Sequence, residues 1–302
     1  MSCYSVEPDP FPAPKEVPMS RLRIHAAART DVGQERSDNQ DRALVADASE
    51  GWGWEPPAGV SHEALAGAFY ALVCDGMGGE AGGEIASSLA IEATAGAMKA
   101  CWATLAAVPP GSTAVAEQRL ASAMVASLEA ASARIKQVAK AEPIYGRMGT
   151  TATLALVSER SLLCAQVGDS RAYVFSQGLL SQVTRDQTMQ ELLRSSGNIP
   201  EDQIANVCGP NVILQALGSS TKLEVAITRT PLEDGDVVLV CSDGLHGPVS
   251  DESIARILSS NDDPSAAADT LIRAANANGG PDNISVIVFR VSFPTGRSSP
   301  VG

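Results

Sequence analysis

Two long helical segments in the middle of the chain most constrain its fold. Residues 83–108 carry apolar side chains every fourth position from Ile85, and residues 114–140 carry a second apolar stripe at helical spacing. A Pro-Pro-Gly sequence at 109–111 separates the two segments, as expected for a helix–helix connection. Each stripe is interpreted as facing a core, so the helices need an apolar layer to pack against.

Strand patterns flank this helical pair on both sides. Before it, residues 21–29 alternate apolar with polar or small side chains, 43–46 form a short strand, and 68–74 form a continuous apolar run typical of a buried strand, while the Gly/Pro-rich residues 52–57 are interpreted as a connection. After it, strands are predicted at 150–157, 162–167 and 171–175 (an antiparallel meander), then at 223–228, 237–241 and 284–291, with helices at 251–259 and 265–277. This mixed order favours an α+β fold of mostly antiparallel sheets flanked by helices.

The remaining segments define the expected domain organisation. Residues 1–20 are Pro-rich and acidic and predict a disordered or extended tail, and the Pro/Ser-rich residues 294–302 predict a loose C-terminal tail. Between them, 21–293 is expected to form one domain. Within this domain the mixed, Gly/Pro-broken stretch around 186–219 is interpreted as an excursion from the sheet with two short helices.

Composition narrows the classes of partner. The formal net charge is −13, with 19% charged and 44% hydrophobic residues, so the chain is globular and acidic. No cluster of Lys and Arg provides the basic face that a nucleic-acid binder needs. An acidic protein that handles an anionic substrate needs cations from elsewhere, which points to bound metal.

Cysteine usage and hydropathy indicate the cellular compartment of the protein. The 6 cysteines are scattered and form no C-x-x-C pair, which favours reduced thiols in the cytoplasm over a disulfide framework or a zinc site. No apolar run is long enough to cross a bilayer, and the N-terminal region lacks the features of a signal peptide. We therefore expect a cytoplasmic protein without membrane partners.

Five aspartates share a position next to predicted strand ends: Asp41, Asp75, Asp169, Asp243 and Asp282. Taken singly, each is explained as a turn residue, which is the ordinary role of Asp beside Gly. Taken together they suggest a metal site, because carboxylates that converge raise one another's pKa and divalent cations remove that penalty. All-oxygen ligation suits Mg²⁺ or Mn²⁺, and the 3 histidines are too scattered for zinc.

Six short motifs in a fixed order carry a more specific signal. They are Arg36-Ser-Asp-Asn-Gln-Asp41, Asp75-Gly-Met-Gly-Gly79, Met148-Gly-Thr-Thr-Ala-Thr153, Gly168-Asp-Ser-Arg-Ala-Tyr173, Ser242-Asp-Gly-Leu245 and Asp282-Asn283. Between about residues 22 and 291 the chain thus resembles the metal-dependent protein phosphatases, the protein phosphatase 2C-like serine/threonine phosphatases, in their bacterial form. The resemblance implies a four-layer α-β-β-α sandwich with two central sheets, and makes 21–293 the catalytic domain with a flap at about 186–219.

The resemblance also implies a role for each site residue. Asp75 would bridge two metal ions, and the carbonyl of Gly76 would bind one of them. The other implied ligands are Asp243 and Asp282 at the paired ions, Asp169 with Asp243 at a third ion, and Asp41 at a metal-bound water. Arg36 would bind the substrate phosphate. The implied cofactors are two or three Mn²⁺ or Mg²⁺ ions, and the implied partners are phosphorylated proteins, namely a serine/threonine kinase or its substrates, bound by a monomer.

Two departures from the family pattern stand out. Gln40 occupies a position where many relatives have Glu, so one carboxylate near the metals is missing. Bacterial relatives often carry Asp-His-Ser after the central strands, whereas this chain has Asp186-Gln187-Thr188 at the start of the flap.

The implied reaction is hydrolysis of phosphoserine and phosphothreonine by water activated between two metal ions. The proton donor to the leaving group stays open between His246 and a metal-bound water. Two other functions also stay open: a catalytically silent sensor module of the same fold, and a metal-dependent phosphoesterase that acts on small molecules or nucleic acid.

Overall fold

The computed structural model describes residues 22–48, 52–64, 68–105, 113–209, 212–219 and 221–293. The predicted tails at 1–20 and 294–302 lie outside these residues, as does the predicted end of the first long helix at 106–108.

The described residues form strands and helices in the mixed order that the sequence predicts. The strands are β1 (Leu22–Asp31), β2 (Asp41–Asp47), β3 (Trp52–Trp54), β4 (Ala58–Ala64), β5 (Ala68–Met77), β6 (Gly149–Thr150), β7 (Ala152–Ser158), β8 (Ser161–Val167), β9 (Arg171–Ser176), β10 (Leu179–Gln182), β11 (Ala226–Pro231), β12 (Val237–Cys241) and β13 (Ile284–Ser292). The helices are α1 (Gly79–Leu105), α2 (Thr113–Ala141), α3 (Met189–Ser196), α4 (Glu201–Val207), α5 (Asp243–His246), α6 (Asp251–Ser260) and α7 (Pro264–Ala277), with a 3₁₀ turn at Pro143–Tyr145.

Two antiparallel sheets organise the molecule. The first sheet has the strand order β10-β9-β12-β13-β1-β4, and the second has the order β11-β8-β7-β5-β2-β3, with β6 paired to β5. Strand β13, the last along the chain among the described residues, lies in the middle of the first sheet between β12 and β1.

Three apolar cores separate four layers. Helices α1 and α2 pack on the outer face of the second sheet, where Leu72 and Met124 are fully buried. The two sheets pack on each other through residues such as Val45 and Phe289. The third core lies between the first sheet and helices α6 and α7. The predicted α-β-β-α sandwich is confirmed.

Strand β5 shows why a continuous apolar run forms a strand here. Phe69, Ala71 and Val73 face the core between the sheets, whereas Tyr70, Leu72 and Cys74 face the helices. Because successive side chains of a strand point to opposite faces, a strand that is covered on both faces needs apolar residues at every position. Its neighbour β2 is buried in the same way at Ala43–Ala46.

Helices α6 and α7 begin at side-chain caps. The Ser250 hydroxyl accepts a hydrogen bond from the Ser253 amide at the start of α6, and the Asp263 carboxylate accepts from two amides at the start of α7. Pro264 occupies the first turn of α7, where its missing N–H is no loss. The predicted helices at 251–259 and 265–277 are confirmed to within one residue.

Several sequence predictions are wrong in detail. The predicted connection at 52–57 contains strand β3, and strand β4 after it was not predicted. The strand predicted at 223–228 begins three residues later, at Ala226. The predicted meander is broken, because β8 belongs to the second sheet and β9 to the first. The chain therefore crosses between the sheets at residues 168–170. No helix among the described residues has the length and apolarity needed to cross a membrane.

Candidate metal centre

Two of the predicted aspartates face each other across neighbouring strands. The register of β2 and β5 places Asp41 opposite Asp75. Asp75 lies within β5, which corrects the expectation that this strand ends at residue 74. Like charges directly opposite one another destabilise a sheet. Burial, together with the charges of Asp243 and Asp282, raises the pKa of Asp41 to about 7. Burial and the charges of the surrounding aspartates raise the pKa of Asp75 well above its ordinary value.

The first sheet contributes Asp243 to the same site. Strand β12 ends at Cys241, and Asp243 begins the short helix α5. Burial, and then the charge of Asp282, raises the pKa of Asp243. The hydroxyl of the intervening Ser242 donates to Oδ2 of Asp41 at 2.7 Å, so a side chain from the first sheet holds a carboxylate of the second.

Close backbone approach explains why glycine follows both Asp75 and Asp243. A Cβ atom on Gly76 would collide with the carbonyl of Gly83 in α1, and a Cβ on Gly244 would collide with the carbonyl of Asn283. Only a residue without a side chain lets these backbones meet. The two Asp-Gly pairs are therefore places where an aspartate lies beside tightly packed main chain.

Asn283 connects Asp282 to the loop that carries Arg36. The backbone N–H of Asn283 donates to Oδ1 of Asp282 at 2.8 Å, and the backbone N–H of Gln40 donates to Oδ1 of Asn283 at 2.8 Å. The Asn283 side chain also donates to the carbonyl of Asp38 at 2.9 Å. On the other side, Nη2 of Arg36 pairs with Oδ2 of Asp282 at 2.7 Å.

Asp169 approaches from the turn where the chain changes sheets. Its side chain is only 7% exposed, and burial, followed by the charge of Asp243, raises its pKa to about 7. Nε2 of His246 lies 3.1 Å from the carbonyl oxygen of Asp169. Burial lowers the pKa of His246 to about 4, so this imidazole is neutral at neutral pH and holds no extra proton to donate.

A cavity of about 480 Å³ brings most of the predicted residues together. Its lining includes the predicted Arg36, Asp75, Gly76, Asp169, Asp243 and Asp282. The predicted Asp41 is not part of the lining and is buried, with 1% exposed. Sequence reasoning missed other lining residues, namely Ser37, Asp38, Met77, Gly78, Thr151, Ile213 and Asn283. The motifs around Arg36 and Asp75 pointed to several of these, whereas nothing in the sequence pointed to Ile213.

The donor set fits divalent cations. Oδ1 of Asp41 and Oδ1 of Asp243 are buried without a hydrogen-bond partner, which is costly for a carboxylate oxygen unless a cation is its partner. Carboxylates and the Gly76 carbonyl are the oxygen ligands that Mg²⁺ and Mn²⁺ prefer. Among the described residues, no three acidic, His or Cys side chains are already gathered around one point. The carboxylates of Asp75, Asp169, Asp243 and Asp282 instead line a shared cavity.

Comparisons with known proteins agree with this arrangement. The model of the family "Protein phosphatase 2C" matches residues 59–281. The serine/threonine phosphatase stp of Listeria monocytogenes is 31% identical over 265 residues, which cover 88% of this chain and 95% of that protein. The crystal structure of the Mycobacterium tuberculosis serine/threonine phosphatase PstP/Ppp has a TM-score of 0.69 and 31% identity, covering 89% of this chain and 99% of that one.

A further solved structure, the catalytic domain of PstP in complex with two manganese ions, has a TM-score of 0.66 and 31% identity. It covers 90% of this chain and 99% of that one. The family match, these similarities and the two-sheet site together identify the chain. It belongs to the protein phosphatase 2C family.

Proposed function

We propose that this chain is a metal-dependent phosphoprotein phosphatase that hydrolyses phosphoserine and phosphothreonine monoesters. The observation that carries the proposal is the convergence of aspartates from both sheets on one cavity, with two buried carboxylate oxygens left without a partner. The relatives named serine/threonine phosphatases support the same activity.

We assign two or three Mn²⁺ or Mg²⁺ ions to this site, a choice supported by the two manganese ions of the PstP complex. Asp75, the Gly76 carbonyl, Asp243 and Asp282 would hold the paired ions, with Asp169 and Asp243 at a third. When bound, such ions lower the pKa of water and offset negative charge on phosphoryl oxygens.

The other site residues act on water and substrate. The buried carboxylate of Asp41 is held at Oδ2 by Ser242, and its unpartnered Oδ1 would accept a hydrogen bond from a metal-bound water. Arg36 is half exposed at the cavity, where its planar guanidinium can exchange Asp282 for two oxygens of a phosphate group. Water would attack phosphorus directly, the P–O bond to the serine or threonine would break, and the released oxygen would take a proton from water. A thiol nucleophile is disfavoured, since Cys74 and Cys241 are buried and burial raises the pKa of both thiols.

The finer assignments are also proposals. The substrates would be phosphorylated proteins, in particular a serine/threonine kinase or its targets in bacterial signalling, and the enzyme would act as a monomer. The catalytic domain would span 21–293, with residues 186–219 as a substrate-facing flap. A cytoplasmic location is supported by the free thiols of Cys74, Cys164, Cys208 and Cys241, which suit a reducing compartment.

Phosphate release from a phosphothreonine peptide, measured with and without Mn²⁺, tests the proposal. We expect Mn²⁺-dependent turnover that is abolished by Asp75→Asn and by Asp243→Asn. The matched control is Asp262→Asn, which removes a fully exposed surface carboxylate. Absence of turnover by the wild-type protein with both Mn²⁺ and Mg²⁺ would refute the phosphatase assignment.

A further inference from the structure

The turn that carries Asp169 depends on side chains for its position. It joins β8 in the second sheet to β9 in the first, and residues 168–170 belong to neither strand. From the second sheet, Oγ1 of Thr153 donates to the Ser170 carbonyl at 2.7 Å, and Nε2 of Gln166 donates to the same carbonyl at 3.0 Å. These bonds hold the C-terminal half of the turn.

Gln187, at the start of the proposed flap, holds the N-terminal half. Its side-chain Oε1 accepts a hydrogen bond from the Gly168 backbone N–H at 2.8 Å. The backbone N–H of Gln187 donates to the Gly168 carbonyl at 2.9 Å. The residue next to Asp169 is therefore bonded to Gln187 through both its N–H and its C=O.

The same side chain reaches the segment that follows the flap. Nε2 of Gln187 donates to the carbonyl of Glu224 at 3.0 Å. The Gln187 carbonyl in turn accepts from the Leu214 amide at 2.7 Å, beside the bridge between Thr188 and Ile213. Ile213 lines the metal cavity together with Asp169. One residue thus connects the Asp169 turn, the inner part of the flap and the chain beyond it.

The residues before Gln187 reinforce this connection. The Arg185 amide donates to Oε1 of Gln166 at 3.1 Å, and the Asp186 carboxylate pairs with Arg171 at 2.6 Å. Three consecutive residues at the start of the flap therefore attach to the turn or to the residues beside it. Of the three, only Gln187 also bonds through its side chain to Glu224.

We propose that Gln187 is a positioning residue that fixes Asp169 in the metal centre from the side of the flap. This inference rests on the proposed metal centre and names the residue that couples it to the flap. It also accounts for the departure from Asp-His-Ser noted above. A neutral imidazole offers one donor and one acceptor, and the Gln amide offers two donors and an acceptor, so either side chain can supply the acceptor for Gly168 and the donor for Glu224.

The test compares three variants by Mn²⁺ binding without substrate and by hydrogen exchange of the Gly168 amide. Gln187→Met keeps an unbranched side chain of similar size but removes the amide. Gln187→His offers a donor and an acceptor. Gln215→Leu is the matched control, because Oε1 of Gln215 accepts a hydrogen bond from the Glu224 backbone N–H at 3.3 Å, whereas Gln187 bonds to both Glu224 and Gly168.

We expect Gln187→Met to weaken binding of the Mn²⁺ assigned to Asp169 about tenfold, the equivalent of losing the hydrogen bond to the Gly168 amide, and to speed exchange at Gly168. Gln187→His should restore both the Mn²⁺ affinity and the slow exchange of the Gly168 amide. Gln215→Leu should match the wild type in both measurements. Thermal unfolding of each variant shows whether the fold is retained.

The inference is overturned if folded Gln187→Met binds Mn²⁺ with the affinity of the wild type. It is also overturned if Gln187→His binds Mn²⁺ as weakly as Gln187→Met, or if Gln215→Leu lowers the Mn²⁺ affinity as much as Gln187→Met does. Because binding is measured without turnover, a wild-type protein that lacks phosphatase activity but shows this pattern would refute the proposed reaction and leave the role of Gln187 intact.

Discussion

The hydroxyl of Ser242 donates to Oδ2 of Asp41 across the interface between the two sheets, at 2.7 Å. The hydroxyl oxygen of Ser242 also accepts a hydrogen bond from the Ser285 backbone N–H at 2.9 Å. The single hydroxyl proton of Ser242 therefore points towards Asp41. Ser242 and Asp41 are 0% and 1% exposed, which leaves water no access to replace either bond. Oδ1 of Asp41 remains buried without a hydrogen-bond partner.

Replacing Ser242 tests this relationship. Ser242→Ala should lower the free energy of unfolding by about 1.5–3 kcal/mol, because it removes a buried hydrogen bond to a charged group and leaves the Ser285 amide without its acceptor. Urea unfolding of the metal-free protein measures the change. Ser127→Ala removes another buried hydroxyl, which bonds within α2, and should cost only about 1 kcal/mol. Equal losses in the two variants would contradict a special role for the Asp41 bond.

The metal-free protein should lose stability as pH rises. Asp41 and Asp169 have folded pKa values of about 7, above the ordinary value of 3.8, so the folded state binds more protons than the unfolded state between these limits. The stability that this proton binding contributes is complete below about pH 4 and is lost as pH rises through about 7.

Thermal unfolding in a chelator should therefore show a lower melting temperature at about pH 8 than at about pH 5.5. Asp41→Asn, which cannot titrate, should flatten the difference, and saturating Mn²⁺ should restore stability at the higher pH. A melting temperature that rises with pH in the chelator would show that the carboxylates are not destabilised by ionisation.

Arg36 should matter for catalysis far more than for folding. Its side chain is 55% exposed, so its pair with Asp282 should contribute at most about 1 kcal/mol to stability. Loss of the bonds to phosphate should lower kcat/KM by about 10- to 100-fold in Arg36→Ala, and Arg36→Lys should recover only part of it. The matched control is Arg229→Ala, since Arg229 is 61% exposed and pairs with Glu117 away from the cavity. Comparable activity losses in both Ala variants would remove Arg36 from the substrate site.

Gly244 should tolerate no side chain. Gly244→Ala forces a Cβ against the Asn283 carbonyl and should destabilise the fold by about 1–3 kcal/mol while displacing Asp243. Gly96→Ala is the opposite case, because nothing lies near its Cβ position and alanine favours a helix by about 0.5–1 kcal/mol. Melting temperatures that move in opposite directions would agree with this reasoning, and a harmless Gly244→Ala would refute the close approach.

Apolar patterning predicted the parts of the fold in which burial dictates the residue type. The run at 68–74 is a strand covered on both faces, and the two apolar stripes are helices on the second sheet. Patterning does not say which sheet a strand joins, so the step from β8 to β9 was misassigned. The short β3 and the edge strand β10, whose side chains are largely exposed, lack the period that reveals a strand.

The candidate site was predictable for a different reason. Acidic residues beside strand ends, in six ordered motifs, led to Arg36 and to the aspartates that the cavity gathers. The cross-strand pairing of Asp41 with Asp75 depends on register, and the contacts of Ile213 depend on the path of the flap. Neither feature follows from a local sequence pattern, because each depends on how distant segments meet in the folded chain.

The central place of β13 has a consequence for biosynthesis. This strand leaves the ribosome after all the other described strands, yet it must insert between β12 and β1, which were made long before it. Asp282 and Asn283 directly precede β13 in the sequence and are therefore synthesised just before it. A nascent chain that stops short of this point has neither a closed first sheet nor a complete set of carboxylates. Phosphatase activity should therefore appear only once translation has passed β13.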